Sequence, residues 1–184
     1  MRWLHLYGSM LGLVTLLFFA VTGLTLNHAE WFEAGAPTVR KATGTLEPTS
    51  LGERIDKLVV AETLRGRHGL RGLVGEFAIN DADCIVVFKG PGYSADVNIE
   101  RATGKYTVEE SRRTLFAVLD DLHKGRDSGG HWSVAIDASA VLLTLVAVTG
   151  LWLLLYIKRH RTPGLLVTVA GGAVLLLVYL LAGR

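Results

Sequence analysis

The chain has 184 residues, 50% of them hydrophobic, with 19 Lys and Arg against 17 Asp and Glu and a formal net charge of +2. That near balance provides no basic field of the kind nucleic acid requires, and a single cysteine excludes an intrachain disulfide. The length accommodates one small domain beside a few membrane spans, and the apolar residues are distributed to match.

No Asp, Glu, Lys or Arg stands between Arg2 and Glu30, between Asp137 and Lys158, or between Arg161 and Arg184. A helix rising about 1.5 Å per residue crosses a hydrocarbon core of about 30 Å in roughly 20 residues, so each gap is long enough to span. The first predicted element is therefore a transmembrane helix over residues 1–28. Its apolar stretch outruns that of a secretion signal, and the exit Leu26-Asn27-His28-Ala29-Glu30 shows no small-x-small cleavage site, so it reads as a retained anchor. Arg2 and the run Lys158-Arg159-His160-Arg161 are the basic flanks. The bias of Lys and Arg towards the cytoplasm puts the N-terminus inside, the long middle segment outside and the C-terminus outside.

Residues 29–122 form the predicted α+β domain. Apolar Leu51, Ile55, Leu58, Val59 and Leu64 recur at helical spacing, which predicts a helix over 51–64. Strands follow at Phe77-Ala78-Ile79, at Ile85-Val86-Val87-Phe88 and over 93–99, separated by Gly90-Pro91-Gly92 and ended by Ala102-Thr103-Gly104. They predict a small antiparallel sheet packed on that helix. Cys84 lies in such a strand and reads as a small buried hydrophobe. Residues 109–122 look helical and lead back to the membrane, through a polar juxtamembrane loop at 123–135. Spans over 136–158 and 162–183 complete an α-helical membrane protein with three transmembrane helices and a small α+β domain.

The spans carry a short internal echo. The first contains Val21-Thr22-Gly23-Leu24 and the second Val148-Thr149-Gly150-Leu151, near opposite ends of helices that run in opposite directions. His5 precedes Gly23 by 18 positions and His131 precedes Gly150 by 19. Thr-Gly steps are also common where membrane helices simply pack closely.

Five of the six histidines fall at membrane boundaries: His5 and His28 at the two ends of the first span, His123 and His131 before the second, and His160 after it. Only His68 lies in mid-domain. Imidazoles on facing helices are the usual ligands of b-type haem. On an ideal helix His5 and His28 stand about 34 Å apart, one near each membrane surface. His5 can then meet His160 on the inner side, and His28 can meet His131 or His123 on the outer side, giving one or two haems. His5 and His28 point to faces more than a right angle apart, so one flat partner surface cannot serve both. The competing reading makes the same histidines interfacial anchors, beside Trp3, Tyr7, Trp31, Trp132 and Tyr156. The segment from Asp121 to Trp132 is the densest polar cluster, and its Lys124 and Arg126 suit haem propionates, an anionic ferric chelate or lipid headgroups. No haem-c attachment, nucleotide-loop or metalloprotease motif is present.

On these residues the chain resembles the PepSY-associated transmembrane family, in a short form with one extracytoplasmic PepSY-like domain. The resemblance rests on Leu4-His5-Leu6-Tyr7-Gly8, on Val21-Thr22-Gly23-Leu24-Thr25-Leu26-Asn27-His28, on Leu122-His123-Lys124-Gly125-Arg126-Asp127 and on Thr149-Gly150-Leu151-Trp152. The PepSY-like part shows in Val97-Asn98-Ile99-Glu100-Arg101-Ala102-Thr103-Gly104-Lys105. It implies a cytoplasmic-membrane protein of iron-uptake settings, whose larger relatives reduce siderophore-bound iron with two b-type haems. His5 and His123 are the matching histidines, with His160 a further candidate. This chain lacks a fourth span and a flavin domain, which points to a homodimer or to redox partners, with an electron donor on the cytoplasmic side. The expected function is thus a haem-b electron-transfer subunit reducing an extracytoplasmic acceptor. The alternative is a membrane accessory protein whose PepSY-like domain binds a protein or peptide.

Overall fold

A computed structural model describes residues 2–32, 36–47 and 55–182. The chain divides into two compact units, Met1–Leu17 with Asp137–Arg184, and Phe18–Ile136. Among the described residues, three helices are long and apolar enough to cross a membrane: α1 (Arg2–Asn27), α5 (Gly129–Tyr156) and α6 (Lys158–Ala182). A short helix α2 (Ala29–Phe32) follows α1. Apolar side chains cover these helices on most sides and stay exposed to the surroundings, which suits lipid as solvent.

The sheet domain in the second unit has five antiparallel strands in the order β1-β5-β4-β3-β2: β1 (Thr38–Thr45), β2 (Leu73–Ile79), β3 (Asp83–Gly90), β4 (Tyr93–Glu100) and β5 (Lys105–Arg112). Helix α3 (Lys57–His68) connects β1 to β2 and packs across one face. Asp56 caps its start by accepting from the Leu58 and Val59 amides at 3.0 and 3.1 Å, and Gly69 ends it in a left-handed conformation at φ 65°. Leu51, in the helix expected over 51–64, lies outside the described residues; the described helix runs one turn further, to His68.

Strand periodicity decides which residues meet α3. The register aligns Cys84, Ile99 and Tyr106 in one row, Val86, Val97 and Val108 in the next, and Phe88, Ala95 and Glu110 in a third. Those residues are buried, and Val60, Ala61 and Leu64 of α3 close over them. Cys84 is a fully buried free thiol in this core. On β1 the same rows continue with Gly44, Ala42 and Arg40. Gly44 is required beside Tyr106, because any Cβ there would collide with the phenol ring. The Tyr106 hydroxyl in turn pairs with Nε2 of His68 at 2.9 Å, which gives that histidine a role in domain packing.

The third row carries a buried charge. Glu110 is 1% exposed and is held by Arg40 at 2.6 Å and Arg112 at 2.7 Å. Burial by itself raises the pKa of a carboxyl. Here the hydrogen bond from Arg112 and the charges of Arg40 and Arg112 outweigh it and hold Glu110 below the usual carboxylate range.

Two sequence expectations change. Residues 109–112 belong to β5 rather than to a helix: Glu109 and Arg112 look helical in a one-dimensional pattern, but pairing with β4 on one side and β1 on the other overrides local propensity. The helix there, α4 (Leu115–Lys124), starts later, capped by Thr114 and ended by Gly125 at φ 68°. Residues 123–135, expected as a loop, are helical at both ends, with α4 running through Lys124 and α5 starting at Gly129. The Trp132 indole N–H donates to the Leu122 carbonyl at 2.8 Å, so the polar segment folds back on α4 instead of running free.

Turn geometry is strict at Gly104. It has φ 70°, its carbonyl accepts the Leu46 amide at 2.8 Å, and a Cβ there would strike the Leu46 carbonyl oxygen. Gly104→Ala is expected to destabilise the sheet domain by about 1–3 kcal/mol, read as a lower denaturation midpoint with an unchanged slope.

Candidate functional site

On α1, His5, Gly8 and Gly12 recur at spacings of three and four and so lie on one face. In the first unit that face meets α5. A Cβ on Gly8 would lie 3.6 Å from Val146, and one on Gly12 would lie 3.3 Å from Leu143, so the two helices approach closely through small residues. At the N-terminal end of this contact His5 reaches Thr149: Nδ1 stands 3.0 Å from the Thr149 hydroxyl. The ring covers Gly150, where a Cβ would lie 3.0 Å from His5 Cε1.

A second arrangement of the same kind sits in the other unit. His123 on α4 reaches α1, with Nδ1 at 2.7 Å from the Thr22 hydroxyl. Its ring lies against Gly23, where a Cβ would stand 3.4 Å from Cε1, and edge-on to Phe19 at 5.3 Å. One turn along α4, Asp120 is buried and accepts from the Thr25 hydroxyl at 2.9 Å.

Both threonine hydroxyls also reach backbone carbonyls. Thr22 donates to the Phe18 carbonyl at 2.6 Å, and Thr149 to the Leu145 and Val146 carbonyls at 2.8 and 3.0 Å. Each ring is tied to its threonine through Nδ1, and Nε2 is the ring nitrogen outside that contact. Metal-ligating imidazoles are held in this way, by a hydrogen bond to the second nitrogen.

The remaining candidates are engaged differently. His28 stacks flat on Trp31 at 3.9 Å and 9°, with Nδ1 3.6 Å from Glu30. His131 is exposed near the start of α5, and His160 is exposed near the start of α6. Lys124 ends α4, where a cation suits the helix dipole, and Arg126 follows it; both are exposed. Among the described residues, no group of three or more His, Cys, Asp and Glu is arranged to hold a metal ion.

The sequence left Thr22, Gly23, Thr149, Gly150 and Asp120 without a role. The repeated Val-Thr-Gly-Leu was the available signal. Its meaning is crossed relative to the spacing along each span: Gly150 takes His5 and Gly23 takes His123, so each Thr-Gly step receives a histidine from another helix.

The chain matches the family described as "Putative PepSY_TM-like" over residues 1–182. No curated protein and no solved structure matches it. With the match covering both histidine arrangements, the sheet domain and all three long helices, the chain belongs to the PepSY_TM-like family.

Proposed function

We propose that this protein is a b-type haem electron-transfer subunit of the bacterial cytoplasmic membrane, with His5 and His123 as its iron ligands and a periplasmic sheet domain. The observation that carries this reading is the pair of threonine hydroxyls that hold Nδ1 of His5 and of His123, which leaves Nε2 of each ring outside the contact. One further feature fits a porphyrin. A cavity of about 800 Å³ in the first unit is lined by Arg2, Trp152, Leu153, Tyr156 and Ile157, and Arg2 lies one helical turn from His5. It combines apolar walls with one cation, as a macrocycle with anionic propionates requires.

When bound, haem supplies one-electron chemistry. The chain's residues do the rest. Thr149 and Thr22 would orient the rings through Nδ1, while Gly150 and Gly23 make room for them. That chemistry would serve electron transfer from a cytoplasmic-side donor to a periplasmic acceptor such as a ferric chelate. Each arrangement offers one imidazole, and a second copy of the chain or a redox partner would supply any further ligand.

A second reading is favoured by the same hydrogen bonds taken as fasteners, which join α1 to α5 and α1 to α4. The histidines are then structural, and the sheet domain of an accessory protein binds its partner. The dithionite-reduced spectrum and pyridine haemochrome of the detergent-purified chain separate the two. A b-type spectrum is expected; well-folded protein with no Soret absorbance leaves only the fastener reading. Thr22→Val and Thr149→Val are expected to weaken haem retention by about 10- to 100-fold, measured as haem loss to an apo-globin acceptor.

A further inference from the structure

Beside the β3–β4 turn a cavity of about 360 Å³ opens among Arg71, Arg112, Arg113, Gly72, Gly92 and Tyr93. Pro91 and Gly92 make the turn, with Gly92 at φ 63°. The groups around the cavity are unequally charged. Arg40, Arg71, Arg112 and Arg113 give four positive charges and Glu110 and Asp121 two negative, a formal surplus of two positive charges.

Both carboxylates are already held in the way a ligand carboxylate is held. Asp121 Oδ2 accepts from the Gly92 amide at 2.9 Å and from the Arg113 guanidinium, while Glu110 is shared by Arg40 and Arg112. Among the described residues no carboxylate pairs with Arg71; its main-chain N–H donates to the Tyr93 hydroxyl at 3.1 Å. The three arginines lining the cavity are exposed, and exposed guanidiniums taken singly hold an anion weakly. Retention there requires several at once, and therefore several acceptor groups on one molecule.

We propose that this cleft binds a small polycarboxylate, with Arg71 as its principal anchor and Arg112 and Arg113 as additional donors. Helix α4 forms one wall through Val118, and its Asp121 accepts from the Gly92 amide of the turn. His123 lies two positions beyond Asp121, about 200° around that helix, so the cleft and the Thr22–His123 contact occupy opposite sides of one helix about 10–12 Å thick. That such a ligand acts as the electron acceptor rests on the haem reading; its binding does not.

The test is titration calorimetry of the full chain in detergent at low ionic strength, with citrate and acetate as probes. Citrate is expected to bind at least about tenfold more tightly than acetate, because only citrate can engage several guanidiniums. Arg71→Glu is expected to weaken citrate at least about tenfold, whereas Lys105→Glu, the same charge change at the other end of β5, leaves it unchanged. Equal affinity for citrate and acetate, no citrate heat with wild type, or equal losses in the two variants would overturn the proposal. Haem-free protein that binds citrate in this pattern retains the site and rejects only its redox role.

Discussion

Gly150→Leu is expected to abolish the haem contribution of His5 while the protein still inserts and retains its helical circular dichroism. A Cβ at this position would stand 3.0 Å from His5 Cε1 and 3.7 Å from both ring nitrogens. Real Cβ contacts that close force the neighbour to move, and a leucine adds three more carbons over the ring. The ring then leaves Thr149, and with it the bond that holds Nδ1. Gly23→Ala provides the contrast. There the added carbon lies 3.4 Å from His123 Cε1, an ordinary van der Waals separation, so the spectrum changes little. The ordering Gly150→Leu far more damaging than Gly23→Ala follows from geometry alone and is read from the Soret band per chain.

Phe88→Ala is expected to cost the sheet domain about 3–5 kcal/mol. Phe88 is fully buried in the row shared with Ala95 and Glu110, and the Arg65 guanidinium lies over its ring at 5.1 Å. Its neighbours sit on a paired strand and a capped helix, so the hole cannot close by small shifts. Against a typical stability of about 5–15 kcal/mol, a loss of this size leaves the domain marginal. The unfolding midpoint should fall sharply with its slope unchanged, and proteolysis should cut within residues 57–112 first.

The membrane helices were legible because the gaps free of charge are long and because lipid tolerates little else. The central strands were legible from alternating β-branched runs. β1 was not, because Thr38–Thr45 presents mainly polar residues and owes its conformation to pairing with β5. Nor was β5, whose outward Lys105, Thr107 and Glu109 mask the inward Tyr106, Val108 and Glu110. The histidine arrangements were half visible. His5 and His123 stood out by type and place, and the Val-Thr-Gly-Leu echo stood out by repetition. Their connection did not, since the hydrogen-bonded partners are 144 and 101 positions apart and belong to different helices. Local spacing could associate each glycine only with a histidine on its own segment. Likewise the stacking of His28 on Trp31 depends on a short helix after α1 that no apolar periodicity announces.

Distances of that kind also separate the five candidate histidines into two classes. Two have Nδ1 held by a threonine hydroxyl, and three are exposed or stacked at helix ends. The most direct measurement is the reduced-minus-oxidised absorbance spectrum, per chain, of two purified variants: His5→Ala with His123→Ala, and His28→Ala with His131→Ala and His160→Ala. The double variant should be colourless and the triple variant should keep the b-type absorbance of the wild type. A coloured double variant, or a triple variant that has lost its haem, would contradict the assignment of the ligands to His5 and His123.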